Sequence, residues 1–568
     1  MSLIESSPRP IHITQSEQAA RFDSWRNLHV ENAFTPPEDP IFSEWEQVIP
    51  RDNFGEVDVT KAIPGFEKGF KDALETGTVS EYVQSTANPN FDGIYVVRTT
   101  DLESESDIQV RDNHTPSSLG SIEQRLFEFL KTISTADMPD VYKMEYQRSI
   151  ENKHLPFIRA AKRLGDVEFT ANYKTPTQWR EFIDLQKSSD SGTMVLKFED
   201  QAREALRIAR ERKDKERQDV PVKKALEFWK FSDREKEKIG FDEIDDASFE
   251  LTNAQTVALF EIALDRLELS DKGWKVVVRE NATAVSCETL PREIRVPATR
   301  QLKGWDVRNT PVHEPYHAVR GENGRVQGMK MLQEESVDDY LKTEEGSAAV
   351  AELVFGQKFG DDRQVVFAGR YLAVAMAMKA QIVDGEVLPQ HSIQEIYDTL
   401  VQEGMTVIDA KNTVWRIFRG TSLQQKGLLI PVKTENGTEI FPSAECFPKD
   451  AAYFEGQMEV FNWIKKNMLV AEGQRAEVFT EALDFSDKLL ARVGRASEIY
   501  GMNIPIDEED NVRYEVLVKK GQMVLISLLN KLGRGKMRLD FLDKDSEWRN
   551  LLVDQGTIDF SKILEPKE

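Results

Sequence analysis

His313-Glu314-Pro315-Tyr316-His317 is the stretch on which the reading of this chain turns. Two imidazoles stand four positions apart, with a carboxylate directly after the first. On a helix, positions i and i+4 share a face. Two neutral imidazoles placed so can hold one Zn²⁺, and the Glu beside them can take a proton from an attacking water. The chain has 7 histidines in 568 residues, so two in one five-residue window carry weight. The plainer alternative is a surface helix with two ordinary histidines.

A catalytic zinc takes three protein ligands and leaves one position open. Cys446 and the other histidines lie far away in sequence, which makes a downstream carboxylate the better third ligand. Thr343 to Glu352, TEEGSAAVAE, reads as a helix start followed by small residues that would let it approach the first helix closely. Glu344 and Glu345 both qualify by type, and spacing does not choose between them. Alternatively, both only favour a helix N-terminus electrostatically.

Upstream, the hydrophobic period changes to that of strands. Trp274–Arg279, Ala284–Cys287 and Glu293–Pro297 read as three strands of a small sheet. Thr310-Pro311 then reads as a helix start, with Thr as N-cap and Pro at the first position. Gly321-Glu322-Asn323-Gly324 should end that helix. The order sheet, histidine helix, turn, second helix resembles that of zincin metallopeptidases, which is an analogy of fold alone. The expected fold class is therefore α+β and mostly helical, a zincin-like core with a small sheet before the HExxH helix.

The rest of the chain frames this core. A chain this long has too many residues for one core, and four regions are expected. Residues 1–117 are loop-rich, with a short strand at Gly93–Arg98. Residues 118–270 form a helical subdomain, in which Ser121 caps one helix and Thr252 or Asn253 caps another. Residues 271–480 hold the catalytic core, including a buried helix over Tyr371–Met378. No role can be read for residues 481–568. The net charge of −24 argues against nucleic acid and anionic membrane as general partners. The two cysteines, Cys287 and Cys446, make no disulfide framework and suit a reducing compartment. No secretory pattern opens the sequence and no apolar run has membrane-spanning length. A cytoplasmic location is expected.

Four motifs, in order, resemble a known family. HEPYHAVRGENG, EEGSA (Glu344 to Ala348), VWRIFRG (Val414 to Gly420) and KDAAYFEG (Lys449 to Gly456) are similar to segments of the zinc-dependent tyrosine/phenylalanine carboxypeptidases. That family includes the microtubule-associated tyrosine carboxypeptidases and bacterial proteins named for a Gln-Glu-Gly-Leu-Ala motif. Ser347 stands where Leu is usual, and Pro315 lies inside the histidine segment, where it removes a helix hydrogen bond. The resemblance implies zinc ligands His313, His317 and Glu345, with Glu314 as catalytic base. It selects Glu345 over Glu344, and it puts Tyr453 forward as the group that stabilises the oxyanion.

An exopeptidase must also recognise a free C-terminal carboxylate, and a guanidinium does so with two parallel hydrogen bonds. Arg416 and Arg419 stand at i and i+3 among the apolar residues Val414, Trp415, Ile417 and Phe418. On one helix they would point the same way; snorkelling stems at a helix end are the alternative. Lys449 is a third cationic candidate. Arg370 reads as a supporting or structural residue, and Glu352 as a carboxylate that orients a ligand histidine. The expected activity is zinc metallocarboxypeptidase, removing a C-terminal Tyr or Phe from a peptide or protein. A zinc endopeptidase, or a regulatory protein that binds peptides without turnover, are the alternatives.

Overall fold

The computed structural model describes residues 66–85, 116–136, 140–163, 165–216, 221–280, 284–289, 291–298, 301–304, 306–326, 340–355, 362–471, 539 and 558–567. These residues are mostly helical, with small sheets. The expected strand at Gly93–Arg98 lies outside them. One hydrophobic core runs from Phe70 to Ile563. The helix α1 (Phe66–Thr76) belongs to it. Phe70 packs on Trp415 with ring centroids 5.5 Å apart, so this part of the region expected to have little core is anchored in it.

Helix α2 spans Pro116–Thr135. It begins five residues before Ser121, which therefore lies inside the helix and does not cap it. Helix α3 (Glu199–Glu216) lies in the region expected to be a helical subdomain. Helix α4 (Asn253–Arg266) starts at a capping box, in which Thr252 accepts from the Gln255 amide and Gln255 returns the bond.

The sheet before the histidine helix is present. Strands β1 (Lys275–Arg279), β2 (Ser286–Glu288) and β3 (Glu293–Pro297) lie in the order β1-β3-β2. β1 pairs with β3 in parallel, and β2 pairs with β3 antiparallel. β3 is buried at four of its five positions. Its buried Glu293 is matched by Lys275, Arg279 and Arg295.

Helix α5, carrying the histidines, runs from Asp306 to Val326 with Pro311 and Pro315 inside it. Both expected boundaries are thus overrun. At the N-terminal side, Pro311 has no N–H to offer Val307 four residues back. The Trp229 indole N–H donates to that carbonyl instead, at 2.9 Å. A buried side chain from another helix thereby substitutes for the missing helix bond. At the other end the GENG segment stays helical because tertiary contacts hold it. Glu322 meets Trp274 and Arg292, and Asn323 bonds the backbone of Ile558.

Helix α6 (Tyr340–Phe355) starts three residues before Thr343 and packs against α5. Helix α7 (Asp362–Ala377) contains most of the buried Tyr371–Met378 stretch. The hairpin β4 (Ala380–Val383) with β5 (Glu386–Pro389) follows. Helix α8 (Val407–Phe418) leads to the hairpin β6 (Gly427–Thr434) with β7 (Gly437–Ala444). Helix α9 (Ala452–Ala471) crosses α6 backbone to backbone. A Cβ on Gly346 would run into the main chain of Gly456, and one on Gly456 into that of Lys342. The glycine of the EEGSA motif thus serves the α6–α9 crossing, whereas the sequence suggested an approach to α5. Among the described residues no helix is long and apolar enough to cross a membrane.

Candidate metal centre and active site

α5 and α6 bring His313, His317 and Glu345 together, with their donor atoms within 4.8 Å of one another. The imidazole centroids are 4.8 Å apart and the rings nearly perpendicular, at 76°. His313 Nε2 lies 3.3 Å and His317 Nε2 3.7 Å from the same oxygen of Glu345, Oε2.

The far side of each ring meets a different carboxylate. His313 Nδ1 lies 2.6 Å from Glu352 Oε1, and His317 Nδ1 lies 2.9 Å from Glu344 Oε1. Glu352 thus stands where a carboxylate orienting His313 should stand. It follows Glu345 by seven positions, two helical turns, and so shares its face. Glu344 has a place that sequence reasoning missed. It is not merely a favourable charge near a helix N-terminus, because it is buried and faces His317. The signal was the pair of consecutive acids, one for the centre and one for the ring behind it.

This arrangement favours one tautomer of each ring. A ring nitrogen so close to a carboxylate oxygen carries the hydrogen, because two lone pairs would repel. A neutral imidazole then has its lone pair on Nε2. Two such lone pairs and one carboxylate oxygen converge on one buried point, a donor set that attracts a cation. Burial would raise the Glu345 carboxyl, but the two histidines outweigh it and hold it below the ordinary value. The donor set of two imidazoles and a carboxylate, each imidazole backed by a carboxylate, fits zinc. Glu314 is buried on α5 one residue after His313.

Next to this centre, α5 and α6 are tied by Ser347, at the motif position where Leu is usual. Its hydroxyl donates to the Thr343 carbonyl, and Arg320 Nη1 lies 3.4 Å from it. Burial pushes the Tyr316 hydroxyl up to about 12, against the pull of Arg320 and of a hydrogen bond with Ser347.

A second charged cluster adjoins the centre. Tyr453 stacks on Phe367, with centroids 5.1 Å apart and planes 15° apart, and Arg370 lies 5.6 Å from its ring. The charge of Glu345 is the largest influence on the Tyr453 hydroxyl and, with burial, raises its pKa. The expected pair Arg416 and Arg419 is not a free pair. Arg416 grips Asp450 through both Nε and Nη2, the second at 2.8 Å. Arg419 is the C-cap of α8, with extended backbone at φ −60° and ψ 137°, so it is not on the helix with Arg416. Its guanidinium lies over Phe447 at 5.5 Å, and its buried Nε and Nη2 have no hydrogen-bond partner among the described residues. Burial lowers its pKa, and Arg416 and Arg370 push the same way against Asp450. Asp450 itself would be raised by burial, but Arg416, Arg370 and Arg419 hold it well below the carboxylate range. Asp450 belongs to the KDAAYFEG motif, whose spacing does not show its contact with Arg416.

Lys449 lies elsewhere on the same short segment. It lines a cleft together with Lys153, Lys174, Lys342 and Glu455. One wall of that cleft is a π-helical turn, Ile150–His154, a geometry often found at functional sites.

Residues 223–429 match the family described as microtubule-associated tyrosine carboxypeptidase. The match covers every residue of the metal centre, and also Arg370, Arg416 and Arg419; Lys449, Asp450 and Tyr453 lie beyond it. Comparison with curated proteins and with solved structures gives no match.

Proposed function

We propose that this chain, which carries a microtubule-associated tyrosine carboxypeptidase domain over residues 223–429, is a zinc carboxypeptidase with a zincin-like core that removes a C-terminal aromatic residue. The observation that carries the reading is the convergence of two imidazole Nε2 atoms on one Glu345 oxygen, with Glu352 and Glu344 behind the rings.

His313, His317 and Glu345 would hold the ion. A bound zinc supplies Lewis acidity and brings the pKa of water toward ~7. Glu314 takes the proton of the attacking water and passes it to the leaving amine. The Tyr453 hydroxyl, kept protonated by the charge of Glu345, donates to the oxyanion. Arg419 offers the substrate's terminal carboxylate two buried donors that have no partner among the described residues. In this reading Arg416 does not bind substrate. It holds Asp450, which sits among the three arginines and fixes their positions.

A net charge of −24 repels acidic chains at long range, while the four-lysine cleft beside α6 favours acidic residues upstream of the scissile bond. A cytoplasmic location is proposed from the two free cysteines.

The test is metal content together with cleavage of two peptides. A peptide ending in free Tyr or Phe should lose one amino acid, and the protein should carry about one zinc per chain. The same peptide amidated at its C-terminus should be cleaved at least ~100-fold more slowly, about 2.7 kcal/mol at ~1.4 kcal/mol per tenfold. Equal cleavage of both, at internal bonds, would make the protein an endopeptidase. The engagement of Arg416 by Asp450 favours that second reading, because it halves the expected carboxylate clamp. Zinc without any cleavage would make the protein a peptide binder.

A further inference from the structure

The segment 558–567 lies more than 230 residues after α5 in sequence, yet it is fastened to the flank of that helix. Phe560 meets Tyr316 edge-on, with centroids 5.0 Å apart and planes at 87°. Asn323 makes two bonds to one residue: the Ile558 N–H donates to its Oδ1 at 2.6 Å, and its Nδ2 donates to the Ile558 carbonyl at 3.3 Å. Tyr316 and Asn323 are seven positions apart and so form one stripe of the helix. Tyr316 stands directly before the ligand His317 and three residues after His313. All four contact residues are buried.

The far end of the segment is fixed as firmly. The buried Arg266 guanidinium binds both oxygens of Glu235 at 2.8 Å, and its Nη1 donates to the Ile563 carbonyl at 3.1 Å. The Lys567 backbone is held by Ser232 and Glu235. The same arginine bonds the Trp229 carbonyl, and the Trp229 indole replaces the helix bond that Pro311 lacks. The segment therefore touches α5 twice directly, and a third time through Arg266 and Trp229.

We infer that residues 558–567 are a strap that positions the histidine helix, with Phe560 and Ile558 setting the rotation of α5 and hence the convergence of His313 and His317. Two prolines weaken the helix's own hydrogen bonding, so external contacts must supply the rigidity that a metal site requires. The consequence for metal binding rests on the proposed zinc site; the consequence for the helix does not.

The experiment uses the full chain with Phe560→Ala, which removes the ring on Tyr316, and Ile558→Pro, which removes the N–H donated to Asn323. Phe560→Leu is the conservative variant, and Lys562→Ala, at the exposed pair with Glu268, is the control. Hydrogen exchange is read on metal-free protein over residues 306–326 and, for comparison, over 362–377. Zinc affinity is read by chelator competition. Phe560→Ala and Ile558→Pro should speed exchange in 306–326 selectively and weaken zinc binding about tenfold, as loss of an orienting contact does. Phe560→Leu should recover most of both losses, and Lys562→Ala should change neither. Unchanged exchange in 306–326, or equal loss in both helices, overturns the strap. Zinc affinity that stays put while the helix loosens overturns its role at the centre. A wild-type protein that binds no zinc sinks the proposed site, and the exchange arm then decides the strap alone.

Discussion

Two charged regions lie side by side around Glu345 and balance charge in opposite ways. On α5 and α6, three carboxylates (Glu344, Glu345 and Glu352) surround two imidazoles. Around Tyr453, three guanidiniums (Arg370, Arg416 and Arg419) share the field of one carboxylate, Asp450. Burial makes both imbalances costly, since an unpaired charge loses its hydration. The first region favours a cation and the second an anion. That is the pairing an enzyme needs if it joins a metal ion to a substrate's terminal carboxylate, and an endopeptidase would need only the first half.

The strongest test leaves the acidic region's geometry intact and removes one proton acceptor. Glu314→Gln should keep zinc and lower kcat about 1,000-fold, within the usual range for general-base loss. His313→Ala should abolish the zinc as well as the activity, because two remaining ligands hold it weakly. Metal analysis beside a peptide assay separates the two outcomes. Loss of zinc in Glu314→Gln would place that carboxylate among the ligands.

The basic region should split under substitution, since its arginines have different partners. Arg416→Ala leaves the buried Asp450 without its hydrogen-bonded partner and should cost about 3 kcal/mol of stability, read as a lower denaturation midpoint. Arg419→Ala removes a cation whose Nε and Nη2 have no hydrogen-bond partner among the described residues, so stability should hold. Its effect should fall on the substrate: the ~100-fold preference for a free over an amidated terminus should largely disappear while zinc remains. If Arg416→Ala erased the preference with no loss of stability, the two assignments would have to be exchanged.

The sequence carried the acidic region much better than the basic one. Helical periodicity puts His313 and His317 on one face with no tertiary knowledge, because i+4 spacing is local geometry, whereas spacing left Glu344 and Glu345 open and the family resemblance chose Glu345. The sheet before the helix was legible for the same reason. The limits of α5 were not. Pro311 and the GENG segment are local stop signals, overridden by Trp229 and by Asn323's bonds to Ile558, residues 78 and 235 positions away. Arg416 and Arg419 looked equivalent because spacing says nothing of Asp450, 34 positions on, or of α8 ending at Phe418. Gly346 announced a close approach, expected at α5, and its backbone partner Gly456 became legible only when α6 and α9 crossed.

The smallest expected effect tests whether the two carboxylates behind the rings are equivalent. Glu344 adjoins the proposed ligand Glu345 in sequence, whereas Glu352 is two turns from it, yet each faces an Nδ1 at hydrogen-bond distance. An amide in place of either keeps an acceptor oxygen but removes the charge that raises the ring's basicity. Glu344→Gln and Glu352→Gln should each weaken zinc binding about tenfold, at the lower end of the range for orienting groups, and chelator competition would measure it. Glu345→Gln should lose the metal outright. A silent Glu344→Gln would mean that its contact with His317 only helps to pack α5 on α6. The metal face would then rest on one oriented histidine instead of two, and the charge contrast with the arginine cluster would be correspondingly weaker.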